Sequence, residues 1–148
     1  MGLTPFEPYE AQTSPTPYQL VLSSKLVKYG SLVNLTLVKT QDETLESFIM
    51  TGFDSYHLPV GSFVTEDRYL NVQDCYANEK NKKGDLIYKK STISNAGPLF
   101  QDQIEFQWRA PKFDKIEESP TQVQFYVTIG FVESKVWVNQ FVGDLYVV

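Results

Sequence analysis

The stretch Phe106-Gln107-Trp108-Arg109-Ala110-Pro111, with Ile104 before it, most constrains what this chain can fold into. Ile104, Phe106 and Trp108 alternate with Glu105, Gln107 and Arg109, the period of a strand with one buried face. Pro111 ends it, because proline offers no amide donor to a ladder. A second β region follows, in which Val123, Phe125 and Val127 alternate with Gln122, Gln124, Tyr126 and Thr128. A strand that buries a tryptophan on one face needs an opposing apolar layer, so the chain is expected to stack sheet on sheet.

The rest of the sequence fits that expectation. Residues 1–17 hold Pro5, Pro8, Pro15 and Pro17 and read as an extended lead-in, with Phe6 and Tyr9 as anchors or with the whole segment as a free tail. Residues 18–148 form one β domain that opens with Tyr18-Gln19-Leu20-Val21-Leu22. Tyr29-Gly30-Ser31 is a turn, and Val33, Leu35 and Leu37 then alternate with Asn34 and Thr36. Phe48-Ile49-Met50 belongs to the next strand, and residues 54–62 are turn-rich. Phe63 with Tyr69-Leu70-Asn71-Val72 reads as one further short strand. Residues 74–84 read as a surface loop, Leu86-Ile87-Tyr88 as a short apolar piece, and residues 91–98 as a second polar loop ending on the breaker Asn95-Ala96-Gly97-Pro98. Gly130 interrupts the long β region and predicts a bend or bulge. No long helical periodicity and no repeat is present. Many short strands with frequent turn signals predict an all-β antiparallel sandwich or barrel. Its core is expected to hold Leu35, Leu37, Phe48, Phe106, Trp108, Phe125 and Trp137.

Charge and residue counts exclude several functions. The net charge of −5 disfavours nucleic acid, which asks for a basic face. The lysines Lys80, Lys82, Lys83, Lys89 and Lys90 are the best candidate for a polyanion site, but a solvated loop and a lysine-protected edge strand explain them better. No apolar run is long enough for a transmembrane helix. Cys75 is the only cysteine and His57 the only histidine, so neither an internal disulfide nor a zinc cluster can be built. His57 sits in a Tyr-His-Leu-Pro turn without a Gly-x-Ser-x-Gly elbow, and no catalytic residue is assigned. Asp74 beside Cys75 disfavours a reactive thiolate. The acid pairs Asp42-Glu43, Glu66-Asp67 and Glu117-Glu118 lack the spacing of a calcium loop and read as solvated turns, with a loop-end calcium site as the alternative; no metal or cofactor is assigned.

What remains is recognition, with a structural or assembly role as the alternative. Aromatic residues make up 14% of the chain, and Tyr56, Tyr76 and Tyr126 are the candidate exposed rings for a glycan or a protein edge, with core packing as the alternative for each. Asn34-Leu35-Thr36 is an N-glycosylation acceptor pattern, and the alternation puts Asn34 on the solvent side. The opening Met1-Gly2 is explained by a mature secreted domain with an added start methionine; a natural cytosolic start is the alternative. An unpaired Cys75 could link two chains, so a monomer or weak dimer is expected.

The ordered set of segments resembles the reeler (reelin amino-terminal) domain family. Ser14-Pro15-Thr16-Pro17-Tyr18 is similar to the start of that domain, Val60-Gly61-Ser62-Phe63 to its Gly-x-Phe segment, and Leu70 to Cys75 to a strand that ends in cysteine. Phe106 to Pro111 resembles its Phe-x-Trp-x-Ala-Pro signature, and Val136-Trp137-Val138 a closing strand. The resemblance implies an all-β, immunoglobulin-like antiparallel β-sandwich, a secreted protein or the extracellular face of a membrane protein, and binding of an extracellular protein, a matrix glycan or a microbial surface. It also implies a partner for Cys75 near the amino terminus, which this sequence does not contain. Glu46-Ser47 replaces the family's Lys-Gly, and Thr92-Ile93-Ser94 lacks its histidine.

Overall fold

The computed structural model describes residues 10–11, 18–39, 45–77, 86–96, 103–112, 121–131 and 135–148. Within them the strands are β1 (Glu10–Ala11), β2 (Tyr18–Leu22), β3 (Leu26–Val27), β4 (Leu32–Lys39), β5 (Leu45–Phe53), β6 (Ser62–Val64), β7 (Leu70–Ala77), β8 (Leu86–Asn95), β9 (Gln103–Arg109), β10 (Thr121–Phe131) and β11 (Lys135–Val147). They form two sheets. The larger runs β1-β11-β10-β5-β8-β7, with β3 also on β11; the smaller runs β2-β4-β9-β6. The described residues contain no helix, and therefore no helix long and apolar enough to cross a membrane.

The expected sandwich is the one found. On the small sheet Val33 lies opposite Trp108, Leu35 opposite Phe106 and Leu37 opposite Ile104, and all six are buried. On the large sheet Phe48 faces Ile129, Met50 faces Val127 and Gly52 faces Phe125, again on the inner side. The two apolar faces meet through aromatic edges. Trp108 packs edge-on to Phe125 at 5.4 Å between ring centres, and Phe63 sits 5.7 Å from Phe106 and 6.4 Å from Phe125. Leu35, Leu37, Phe48, Phe106, Trp108 and Phe125 are thus core residues; the Trp137 side chain lies outside the described set.

Gly61 makes the tryptophan's seat possible. Its φ is +72°, and a Cβ there would lie 2.2 Å from Cζ2 of Trp108. The neighbouring Val60 carbonyl accepts a 3.3 Å hydrogen bond from the indole Nε1. Two residues on, Phe63 enters the core opposite Trp108.

Four expectations need correction. Two short pairings are parallel rather than antiparallel: β1 with β11 at Lys135 and Val136, and β3 with β11 at Tyr146 and Val147. Phe63 and Leu70 belong to two strands in opposite sheets, separated by the turn that Asp67 makes when its carboxylate accepts from Tyr69 N at 2.9 Å. Residues 74–77 continue β7 instead of starting a loop. Residues 91–95 are the second half of β8 instead of a polar loop. The cause is a bulge: Lys90 has φ of 54°, its N donates to Asp74 Oδ1 at 2.9 Å, and the β7–β8 register shifts between Gln73 and Cys75. A bulge breaks the alternation that a sequence reading relies on. The polar residues beyond it are buried with partners, as in the 3.0 Å hydroxyl pair of Thr51 and Thr92. At Gly130 the expected irregularity is present as a register shift against β5.

Candidate functional site

The outer face of the large sheet carries an aromatic group. Phe53 ends β5 with its ring away from the main core, yet only 4% of it is exposed. The loop that follows covers it. Asp54 organises this loop: its carboxylate accepts from Tyr56 N at 2.9 Å and Leu58 N at 3.0 Å, its carbonyl accepts from His57 N at 3.0 Å, and its own N donates to the Leu58 carbonyl. The turn puts His57 at φ 60° and lays its imidazole flat on Phe53, 4.5 Å between centres and 9° between planes. Tyr126 on β10 meets Phe53 at 5.8 Å and His57 at 5.9 Å, edge to face in both cases. Phe141 on β11 extends the row, 5.8 Å from Tyr126, and is half exposed. Tyr56, next to His57, is 76% exposed.

Of the candidate rings, Tyr126 lies within this group and Tyr56 is in the loop that supplies His57. Phe53, His57 and Phe141 join Tyr126, and sequence reading missed all three. Phe53 carries no mark in the sequence that sets it apart from the other apolar residues of its strand, and Phe141 is brought beside Tyr126 only by the β10–β11 register, which shifts between Phe125 and Tyr126. The signal available in the sequence was Asp54, a turn-forming acid, four residues before Leu58-Pro59. The ring contacts of His57 are aromatic, and its loop is a platform in form. Fixed aromatic faces with hydroxyl and imidazole edges suit stacking on a sugar ring or on an apolar side chain.

A second feature lies on the outer face of the small sheet. A groove of about 730 Å³ is lined by Asn34, Thr36, Glu105 and Gln107 on the strands, and by Val64, Thr65, Glu66 and Asp67 on one wall. Asn34 is exposed, and its Oδ1 accepts from Gln107 Nε2 at 2.9 Å. Of the remaining candidates, Lys80, Lys82 and Lys83 lie outside the described residues, as do the side chains of Tyr76 and Cys75. Lys89 and Lys90 are exposed on β8. Among the described residues no three His, Cys, Asp or Glu side chains converge as metal ligands.

Comparison with solved structures supports the architecture. A human F-spondin reeler domain covers 95% of this chain and of its own, with a TM-score of 0.65 and 12% identity. A second human F-spondin reeler fragment gives 0.63 at 13% identity, covering 96% of this chain and 95% of its own. The Reelin-N domain of F-spondin gives 0.64 at 12% identity, covering 95% and 92%. At such identities the likeness speaks for the fold alone. No curated protein gives a significant sequence match. The sequence itself matches the reeler domain over residues 2–147, and on that match, with the sandwich just described, the chain belongs to the reeler domain family.

Proposed function

We propose that this domain is an extracellular, non-catalytic recognition module that binds a glycan or protein surface through the accessible rings His57, Tyr126 and Phe141, which are set in place by the buried Phe53, with Tyr56 in the same loop as His57. The observation that carries the reading is the platform's construction. Four rings are locked edge to face and face to face, with His57 and Phe141 exposed, and Tyr56, the residue before His57, is exposed as well. Rigid aromatic anchors lose little side-chain entropy on binding. The extracellular setting is the one the family resemblance implies. The net charge of −5 favours a neutral or weakly charged partner over a polyanion.

The test is binding of the purified domain to immobilised glycans, matrix proteins and bacterial polymers at two salt concentrations. Salt-tolerant binding is expected, weakened about tenfold or more by Phe141→Ala, an exposed ring whose loss is about 1–2 kcal/mol at an interface and little to the fold. A hit confined to polyanions and abolished by salt would move the site to Lys80, Lys82 and Lys83. Selective capture of bacterial polymers would make the partner a microbial surface, and no binding at all would favour a structural or assembly role.

A further inference from the structure

We infer that Asn34 carries an N-linked glycan whose first sugars lie in the groove of the small sheet, closing that face to partners and leaving the aromatic face as the open one. The inference rests on the extracellular reading, because this modification belongs to the secretory route. Asn34-Leu35-Thr36 is the single Asn-x-Ser/Thr in the chain. A tripeptide match alone decides little; what the fold does with it decides more. Asn34 is on β4, an interior strand of the small sheet with β2 and β9 on either side, so its side chain stands in the middle of that face. It is exposed, whereas Leu35 beside it is fully buried, so the folded sandwich accepts a substituent at Asn34 without disturbing the core.

The folded domain also leaves the amide nitrogen available to bear a sugar. Gln107 Nε2 donates to Asn34 Oδ1 at 2.9 Å, which occupies the carbonyl oxygen and leaves Nδ2 for the sugar. In the transfer, Nδ2 forms a bond to the anomeric carbon of a lipid-diphosphate-linked oligosaccharide. The bond from that carbon to the diphosphate oxygen breaks, the diphosphate leaves with its electron pair, and Nδ2 gives up one proton to a base of the transferring enzyme. No oxidation or reduction is involved.

The groove gives the attached sugars a seat. An exposed sheet face is ordinarily open on all sides, but here the turn after β6 forms a wall beside Asn34. That wall is held in place by Asp67 N donating to Thr65 Oγ1 at 3.1 Å and by the Asp67 carboxylate accepting from Tyr69 N. Glu66, Glu105, Thr36 and Thr65 line the space between, and their carboxylates and hydroxyls are of the kinds that accept from and donate to sugar hydroxyls. A volume of about 730 Å³ lies within the range of small-ligand clefts, about 300–1,000 Å³.

The test is to express the chain behind a cleavable secretion leader in a eukaryotic host and analyse the protein from the medium. Peptide N-glycosidase is expected to remove the mass of one N-glycan and to leave deamidation at Asn34. Both Asn34→Gln and Thr36→Ala should lack that mass, the second with the asparagine intact. Secreted protein with an unmodified Asn34, or variants that match the wild-type mass, would overturn the inference. For the seat, an endoglycosidase that cuts within the core sugars should trim folded Glu105→Ala about fivefold faster than folded wild type, the equivalent of one hydrogen bond; equal rates would overturn it. The leader routes the chain whatever its native destination, so failure here leaves the recognition reading standing, and failure of the binding array leaves this inference standing.

Discussion

Trp108→Ala is expected to lower the stability of the domain by about 3–5 kcal/mol, the range for an aromatic residue removed from a packed core. Trp108 has no exposed surface, joins the two layers at its edge contact with Phe125, and satisfies the Val60 carbonyl through its indole nitrogen. Alanine removes all three contributions and leaves a void between strands held on both sides by ladders. Urea unfolding followed by a probe other than tryptophan fluorescence is the measurement. The midpoint should fall with an unchanged slope, because the same surface is exposed on unfolding. A midpoint equal to wild type would place the indole outside the core. Trp108→Phe should recover part of the loss and none of the hydrogen bond.

Gly61→Ala is expected to be nearly as damaging, although it adds one methyl group. Two costs combine. A φ of +72° is left-handed, which costs an L-residue about 1–2 kcal/mol. The new Cβ would also meet the indole at 2.2 Å, on backbone that a β-strand on one side and a tight loop on the other keep from moving. Overpacking of this kind costs about 1–3 kcal/mol. A double-mutant cycle separates the two. In a Trp108→Ala background the steric part has no partner, so Gly61→Ala should cost only the backbone part, with a coupling of about 1 kcal/mol or more. Additive losses would mean that the close approach of Gly61 to the indole does not govern this turn.

The part of the fold that sequence reveals is the part with unbroken alternation. Ile104, Phe106 and Trp108, like Val33, Leu35 and Leu37, belong to strands whose polar and apolar faces never slip, and all six are buried where expected. Where a bulge intervenes the reading fails, as at Lys90, beyond which Ser91 and Thr92 look like loop residues and are buried in a central strand. The platform was half legible for a related reason. Exposed tyrosines can be nominated one at a time, but Phe53, His57 and Phe141 join Tyr126 only through a loop folded back by Asp54 and a shifted register, which are properties of pairing rather than composition. Asn34 was legible as a pattern and as a solvent-facing position; the groove beside it depends on a turn from a distant segment.

The two parallel pairings on β11 bear on how the domain carries mechanical load. β1 and β3 come early in the chain and β11 comes last, and both run in the same direction as β11. A pull on the two ends of the chain drags β1 and β3 backward along β11, so each patch is loaded in shear. The bonds of the β3 patch, Tyr146 N to the Lys25 carbonyl and Val148 N to the Val27 carbonyl, both 2.8 Å, are then strained together instead of opening one after another. An antiparallel pairing pulled at its adjacent ends would peel like a zipper. The short strands that look marginal in a count of hydrogen bonds are thus placed where tension between the termini would first be felt, and they meet it in the geometry that resists longest.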